Sequence, residues 1–380
     1  MPKKNKKLLK RNGCFFKTAW MVCLIIISVL ISRFIMSGIN DMLAVGKTGE
    51  VVQIQILDGA NIDQVADELL SKNIIKEKWF FKLYAWVTKS SNKFYGGFYE
   101  LETTMDYQTI INHMKNQENV RDVVEVTITE GMNILDCASL MQKNEICTEE
   151  EFLKYCNSDK FKEKYKFIYE NINNKIIYKL EGYLFPDTYK FYRNEKPENV
   201  ISKLLNNYNK KIYQKTDFEG LDSKTSIEEL AKSKNMFVRD IIIIASLIQA
   251  EAANKEDMYN ISSVIHNRLE TLNTDGKNRF GEFSMHILRI DATVYYPYKN
   301  KTSVPKEKLN NILNNNNYNT YQIHGLPPGP ICNPGLDAIL AALFPSHTDY
   351  YYYCHSDSGE SFYARTNQVH LSNLKKAGLN

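Results

Sequence analysis

The stretch Ile241-Ile-Ile-Ile-Ala-Ser-Leu-Ile-Gln-Ala-Glu251 runs ten residues without a formal charge and ends on a carboxylate. A run of that length is too short to cross a bilayer and reads as a buried helix. Ile241, Ile244 and Ile248 recur at helical spacing, and Glu251 falls on the same face, three residues after Ile248. A carboxyl on an apolar face loses hydration, which raises its pKa toward the range of a working general acid. Such a donor can protonate a leaving oxygen, as in glycoside cleavage. The pattern taken alone also allows, and by itself favours, a helix that simply ends where Glu251 meets water.

On either side of this stretch the chain alternates helices and loops. Ser226 to Leu230 opens a helical stretch before it. After it, Asn254 is placed to cap a further helix, with Glu256 and Asp257 in the first turn, whose amide variants should keep most activity. Ile261, Val264, Ile265 and Leu269 give that helix an inner face. Asn310 to Asn317 is asparagine-rich and reads as loop. Gly325 to Gly335 holds four prolines and three glycines in eleven residues, which excludes regular helix and central strand and predicts a rigid wall. Residues 150 to 180 are polar, aromatic and expected to be helical.

The net charge of +4 conceals a division. Residues 1–17 carry seven Lys and Arg and no acid, which leaves −3 on the rest and excludes a basic nucleic-acid binder. Thr18 to Ile39 contains one charge, Arg33, and is long enough for a tilted membrane helix. Lysines before it and few cations just after it predict a cytoplasmic N-terminus, with the body on the other side. A cleaved signal peptide is the alternative, but no small-x-small site follows the apolar run. The expected organisation is a basic tail at 1–17, an anchor at 18–39 and a linker at 40–50. Seven cysteines include no CxxC and no Cys/His cluster of metal-ligand spacing, so neither metal nor cofactor is expected; a disulfide remains open.

Past the linker, Val52, Ile54 and Ile56 alternate with glutamines as a half-buried strand, Asp58-Gly59 turns the chain, and Asn61 caps a helix with Gln64 in capping-box register. A second helix carries Trp79, Phe80, Leu83, Tyr84 and Val87. A strand follows at Gly97–Leu101, then a helix from Asp106 to Met114. The opening recurs 72 residues on, where Gln53–Ile62 matches Glu125–Ile134. Two small strand–helix modules that could share one sheet are therefore expected; shared turn-and-cap chemistry would explain the match as well.

Several segments, in order, resemble the endolytic murein transglycosylases, the MltG or YceG-like family. Glu181-Gly-Tyr-Leu-Phe-Pro-Asp-Thr-Tyr189 matches that family's EGYLFPDTY at every position. Ala245 to Glu251 resembles its ASIxxxE helix, Ser263 to Leu269 its SVFxNRL, and Leu288 to Val294 its LQSDPTV. Tyr318–Tyr321 with Gly325–Ile331 and Asn333–Gly335 is similar to YNTY…GLPPGPIxNPG. Two departures stand out: Arg289-Ile290 replaces Gln-Ser, and a family histidine falls at Ser361.

The resemblance implies an α+β fold: a single N-terminal transmembrane helix, a LysM-like module over 51–120, and a mixed α/β catalytic domain over 121–380 that opens with the second module. It implies a lytic transglycosylase that cleaves the β-1,4 bond between N-acetylmuramic acid and N-acetylglucosamine in nascent peptidoglycan and leaves 1,6-anhydro ends. Glu251 would be the catalytic acid. Glu181, Tyr183, Asp187, Tyr189, Asp291, Thr293, Asn319, Thr320, Tyr321, Gly329 and Asn333 would contact substrate. Arg268 is a possible partner of Asp291. Candidate partners would be glycan strands, the membrane and cell-wall synthases, with no nucleic acid. A hydrolytic muramidase using Asp291 or Asp187 as second carboxylate, and a glycan-binding scaffold, are the alternatives. The 24 tyrosines suit a carbohydrate surface.

Overall fold

A computed structural model of the 380-residue chain describes residues 6–91, 94–169, 175–218, 223–270 and 287–379. Lys3 and Lys4 of the basic tail lie outside the described residues. The chain divides into two units, one up to Val123 and one from Val124.

The first unit opens with helix α1, Lys6–Met42. Its part from Lys17 to Met42 is long and apolar enough to cross a membrane. The helix runs past Ile39, so the expected linker begins as helix. The reason is Asp41, which is buried yet satisfied: it pairs with Lys47 at 2.7 Å and accepts the backbone N–H groups of Lys76 and Glu77 at 2.7 and 2.8 Å. Strand β1 (Val51–Ile56), helices α2 (Ile62–Ser71) and α3 (Lys78–Val87) and strand β2 (Gly97–Glu102) follow, then α4 (Tyr107–Met114). β1 and β2 pair antiparallel, Val51 opposite Glu102 and Ile56 opposite Gly97. Ile54, Leu69, Phe81, Tyr99 and Ile110 form the centre of the core.

The second copy of the opening is β3 (Val123–Ile128) and α5 (Ile134–Lys143). Both copies fold alike locally. Gly59 and Gly131 turn the chain at φ +72° and +82°, a region costly for any residue with a Cβ. Asn61 and Asn133 each close a capping box, with Gln64 and Asp136. The copies do not share a sheet. β1 pairs with β2, and β3 pairs with β4 (Asp187–Tyr192), because each strand finds its partner downstream of its own helices.

The rest of the second unit is mainly helical: α6 (Glu149–Cys156), the single turn α7 (Lys166–Tyr169), α8 (Pro197–Tyr213), α9 (Ile227–Ser233), α10 (Val238–Glu251), α11 (Lys255–Glu270), α12 (Lys306–Asn315) and α13 (Leu336–Leu343). An antiparallel hairpin of β5 (Tyr352–His355) and β6 (Ser361–Ala364) leads into α14 (Asn367–Lys376). The fold is α+β. Of the described residues between 150 and 180, only those up to Cys156 and Lys166–Tyr169 are helical, and the expected Asn310–Asn317 loop is helix as far as Asn315. Asparagine costs only a few tenths of a kcal/mol in a helix relative to most residues. Leu309 and Ile312, three apart, are both half-buried and supply an inner face. The five cysteines beyond α1 are free thiols.

α10 is the axis of this unit. Every residue from Ile241 to Ile248 is buried, so the helix is enclosed all round rather than along the one face that Ile241, Ile244 and Ile248 suggested. Alanine-rich α13 packs against it, with Ala338, Ala341 and Ala342 buried. The Pro-Gly segment is irregular, as its composition requires, and runs as a strap along α10. Arg239 donates to the Pro328 carbonyl at 2.6 Å, the Ile331 N–H donates to Ser246 Oγ at 3.1 Å, and the Gly335 N–H donates to Gln249 Oε1 at 3.0 Å.

Beneath the strap lies a buried carboxyl. Glu181 is 1% exposed; its Oε2 accepts the Ile134 N–H at 3.0 Å and the Tyr296 hydroxyl at 2.9 Å. Burial pushes its pKa from 4.5 up to about 8, against the pull of those hydrogen bonds. The folded state therefore keeps a proton that the unfolded chain releases above its ordinary pKa. Stability should fall as pH rises from about 4.5 to about 8, by up to about 1.4 kcal/mol per pH unit. Glu181→Gln stays neutral and keeps an acceptor oxygen, so its stability should decline less between pH 5 and 8 in urea unfolding. Parallel declines in the two proteins would refute this assignment.

Candidate active site

Glu251 is the last residue of α10 and is half-buried. The helix does end here, but it ends inside a cleft of about 560 Å³. Its Oε2 accepts the Tyr353 hydroxyl at 3.0 Å, and the Ala292 backbone N–H also donates to the carboxylate. Burial holds the Glu251 pKa above the ordinary 4.5, and the negative charge of Asp291 adds to the rise; the Tyr353 and Ala292 bonds and His355 oppose it. The negative pole of the α10 C-terminus acts in the same direction as burial. The result is a carboxyl poised to hold and release a proton, facing open space.

Asp291 and Tyr321 line the same cleft, joined by a hydrogen bond from the Tyr321 hydroxyl to Asp291 Oδ1. Behind them sit Thr293, Asn319 and Thr320, all buried. Thr320 Oγ1 accepts the Ile290 N–H at 2.8 Å and lies 2.9 Å from Thr293 Oγ1; Asn319 Oδ1 accepts the Tyr321 N–H at 3.0 Å. These three hold the loops that carry Asp291 and Tyr321 and do not themselves reach the cleft.

The other expected contacts are elsewhere. Glu181 and Asn333 are core groups: Asn333 is fully buried, with Oδ1 accepting the Leu184 N–H and Nδ2 donating to the Met132 carbonyl, both at 2.9 Å. Tyr189 is buried and donates to the Phe185 carbonyl. Asp187 is on the surface, where the Thr188 N–H, Asn207 and Lys211 together outweigh partial burial and hold its pKa below the ordinary range. Tyr183 lines a separate cavity of about 510 Å³ with Phe237 and Arg239, beside the first turn of α10. Gly329 lies in the strap, where an added Cβ would stand 3.1 Å from the Tyr318 hydroxyl. The strap backs the helix and is not the cleft's wall.

Tyr353 and His355, two apart on β5 and therefore on one face, bring the C-terminal hairpin to Glu251. His355 stands directly across the hairpin from Ser361. Its Nε2 is 2.8 Å from Asp257 Oδ2, and Asp257 also accepts the Tyr363 hydroxyl and the Ala253 N–H. Burial alone would raise the Asp257 pKa; these hydrogen bonds outweigh it and hold it below the usual range. Asp257 is thus a buried hub, whereas its neighbour Glu256 in the same first turn is exposed. Arg268 is also buried and donates to the carbonyls of Tyr351 and Leu288. Arg289 adds a positive charge to the cleft from a strained backbone, φ +51°, pinned by its N–H to the Thr320 carbonyl at 3.1 Å.

The sequence profile of the YceG-like family matches residues 54–376, which is most of the chain. The chain belongs to the YceG-like family. It is 29% identical over 327 residues to a protein of Bacillus subtilis named endolytic murein transglycosylase, covering 84% of this chain and 82% of that one. A Streptococcus pneumoniae protein of the same name is 27% identical over 345 residues; the match covers 85% of this chain and 58% of that longer one. The crystal structure of a yceG-like protein from Listeria monocytogenes shares the fold with a TM-score of 0.52 at 24% identity, covering 85% and 98% of the two chains.

Within this YceG-like site, sequence reading missed Tyr353 and His355. The only signal was the run Tyr350–Tyr353 before a histidine, which does not say what the hairpin faces. The Tyr353 bond favours the Glu251 carboxylate, so Tyr353→Phe should raise the Glu251 pKa further; a carboxyl-¹³C NMR titration reads this, and an unchanged or lowered value contradicts it. Asp257→Asn should lower stability by about 1.5–3 kcal/mol, because it weakens charge-assisted bonds to three donors, while Glu256→Gln stays within about 0.5 kcal/mol of the parent. Urea midpoints test both; indistinguishable midpoints would remove the hub role.

Proposed function

We propose that this protein is a membrane-anchored endolytic lytic transglycosylase of nascent peptidoglycan, with Glu251 as its single acid and base. The observation that carries the reading is Glu251 itself: a carboxyl with a raised pKa, at the mouth of a cleft, in a chain of this family. In its protonated form Glu251 gives its proton to the glycosidic oxygen as the bond from muramic C1 breaks. The muramic 6-hydroxyl attacks the same C1, and its proton passes to the Glu251 carboxylate. No water enters, and the product carries a 1,6-anhydro ring. The tethered hydroxyl supplies the proximity that a second substrate would lack. Asp291 raises the Glu251 pKa through its charge, and Tyr321 is exposed enough to pack on a sugar.

The antiparallel strand–helix–helix–strand unit of residues 51–102 supports a LysM-like role in holding N-acetylglucosamine-containing strands. The seven basic residues before the apolar helix support a cytoplasmic N-terminus, with the catalytic unit outside.

The test is mass spectrometry of products from uncrosslinked glycan strands. The parent protein should yield 1,6-anhydro ends, with an alkaline limb that reports Glu251 losing its proton. Glu251→Gln should fold and lose activity by about 10²–10⁴-fold or more. Reducing ends in place of anhydro ends would favour a hydrolase that uses Asp291. Cleavage by a folded Glu251→Gln protein would remove the mechanism.

A further inference from the structure

Helix α3 is apolar on two opposite sides. One side, Phe81 and Ala85, is fully buried in the core of the first unit. The other carries Trp79, Leu83, Trp86 and Val87 at i, i+4, i+7 and i+8, which is one face of a helix. Leu83, Trp86 and Val87 on that face are 44%, 72% and 64% exposed. A soluble surface seldom presents so large an apolar stripe without a partner.

The contacts of α3 with α1 show which way the stripe faces. The backbone N–H groups of Lys76 and Glu77 reach Asp41; the Phe80 ring lies against Gly38; Glu77 accepts the Ser37 hydroxyl at 2.6 Å. Trp79 reaches deepest: its ring stacks on Phe34, centroids 4.1 Å apart and planes 8° from parallel. From Asp41 back to Phe34 is about 10 Å along the helix axis at 1.5 Å per residue, into the apolar stretch. The Trp79 side of α3 therefore points toward the bilayer end of α1, and Leu83, Trp86 and Val87 share that side. Lys78 and Lys82 flank the stripe and are tied to Asp67 and Asp63 at 2.5 Å, which leaves the stripe itself uncharged.

We propose that α3 is an interfacial helix: its Trp79, Leu83, Trp86 and Val87 face sinks into the headgroup region of the bilayer crossed by α1 and fixes the first unit on the membrane surface. Tryptophan beside aliphatic residues on one helical face suits that depth, where the indole body is dry and its N–H is wet. The proposal rests on α1 being a membrane span and deepens the anchored reading: the anchor is a helix plus a docked face, not a helix on a loose tether. The Asp41–Lys47 pair and the N–H groups that Asp41 accepts make the joint rigid.

The experiment uses the full chain with Trp20→Phe and Trp79→Phe, so that Trp86 is the only tryptophan of the three. It is reconstituted in phosphatidylethanolamine/phosphatidylglycerol vesicles carrying bromine either near the headgroup or near the chain end. Trp86 emission should shift to the blue of aqueous tryptophan and be quenched more by the shallow bromines than by the deep ones. Adding Leu83→Gln and Val87→Gln, which leaves Phe81 and Ala85 untouched, should reduce that quenching. Unshifted emission quenched from the aqueous side would overturn the proposal, as would blue-shifted emission that neither lipid quenches, which marks a protein partner or a second copy on this face. If the protein does not float with the vesicles, the anchor reading fails; if it floats with Trp86 in water, only the docking fails.

Discussion

The second unit depends on the complete burial of one short helix. Ile241 to Ile248 is enclosed on every side, and α13, α11 and the Pro-Gly strap are arranged to enclose it. Burying a single Ile or Leu side chain is worth roughly 1.5–3 kcal/mol, and this helix buries six of them in eight residues. Such a helix cannot shift or rotate without opening voids. Its last residue therefore has a fixed position, and that residue is Glu251. The strap adds direction: its hydrogen bonds to Arg239, Ser246 and Gln249 hold the helix from its first turn to its last, and Gln249 lies in the same turn as Glu251.

Three carboxyls in this unit show how environment divides one chemistry into different uses. Glu181 has neutral donors but no cation and no solvent, and burial keeps it protonated near neutrality. Asp257 is as deeply buried, but donors from Tyr363, Ala253 and His355 favour its charged form. Glu251 lies between them: desolvation raises its pKa, and the Tyr353 hydroxyl, one backbone N–H and His355 resist without cancelling it. The first two hold structure together. Only the third faces open space, where a proton can move to another molecule.

The same hairpin carries both kinds of contact. Tyr353 touches Glu251, while His355 and Tyr363 grip Asp257 in the next helix. The hairpin is thereby latched onto the α10–α11 junction, and the donor that tunes the acid is held by the latch. In the first unit a comparable device operates at Asp41, where one buried carboxylate ends α1 and organises the start of α3.

Local chemistry in the chain determined much of this. Capping boxes at Asn61 and Ser226, the turns at Gly59 and Gly131, the apolar run into Glu251 and the membrane-length helix are all set by neighbours within a few residues, so their patterns survive in one dimension. What sequence could not fix is which face of a segment meets which other segment. In the motif Glu181–Tyr189, which reads as a binding surface, Glu181 and Tyr189 pack in the core while Asp187 lies on the surface. The two strand–helix copies look alike yet pair with different strands. The asparagine-rich α12 is helical as far as Asn315, with Leu309 and Ile312 half-buried, which composition does not reveal. Tyr353 and His355 lie about a hundred residues from the groups they contact, and only the tertiary fold closes that distance. Sequence alone therefore singled out Glu251; the long-range packing that sets its proton affinity and its access to the cleft was decided in three dimensions.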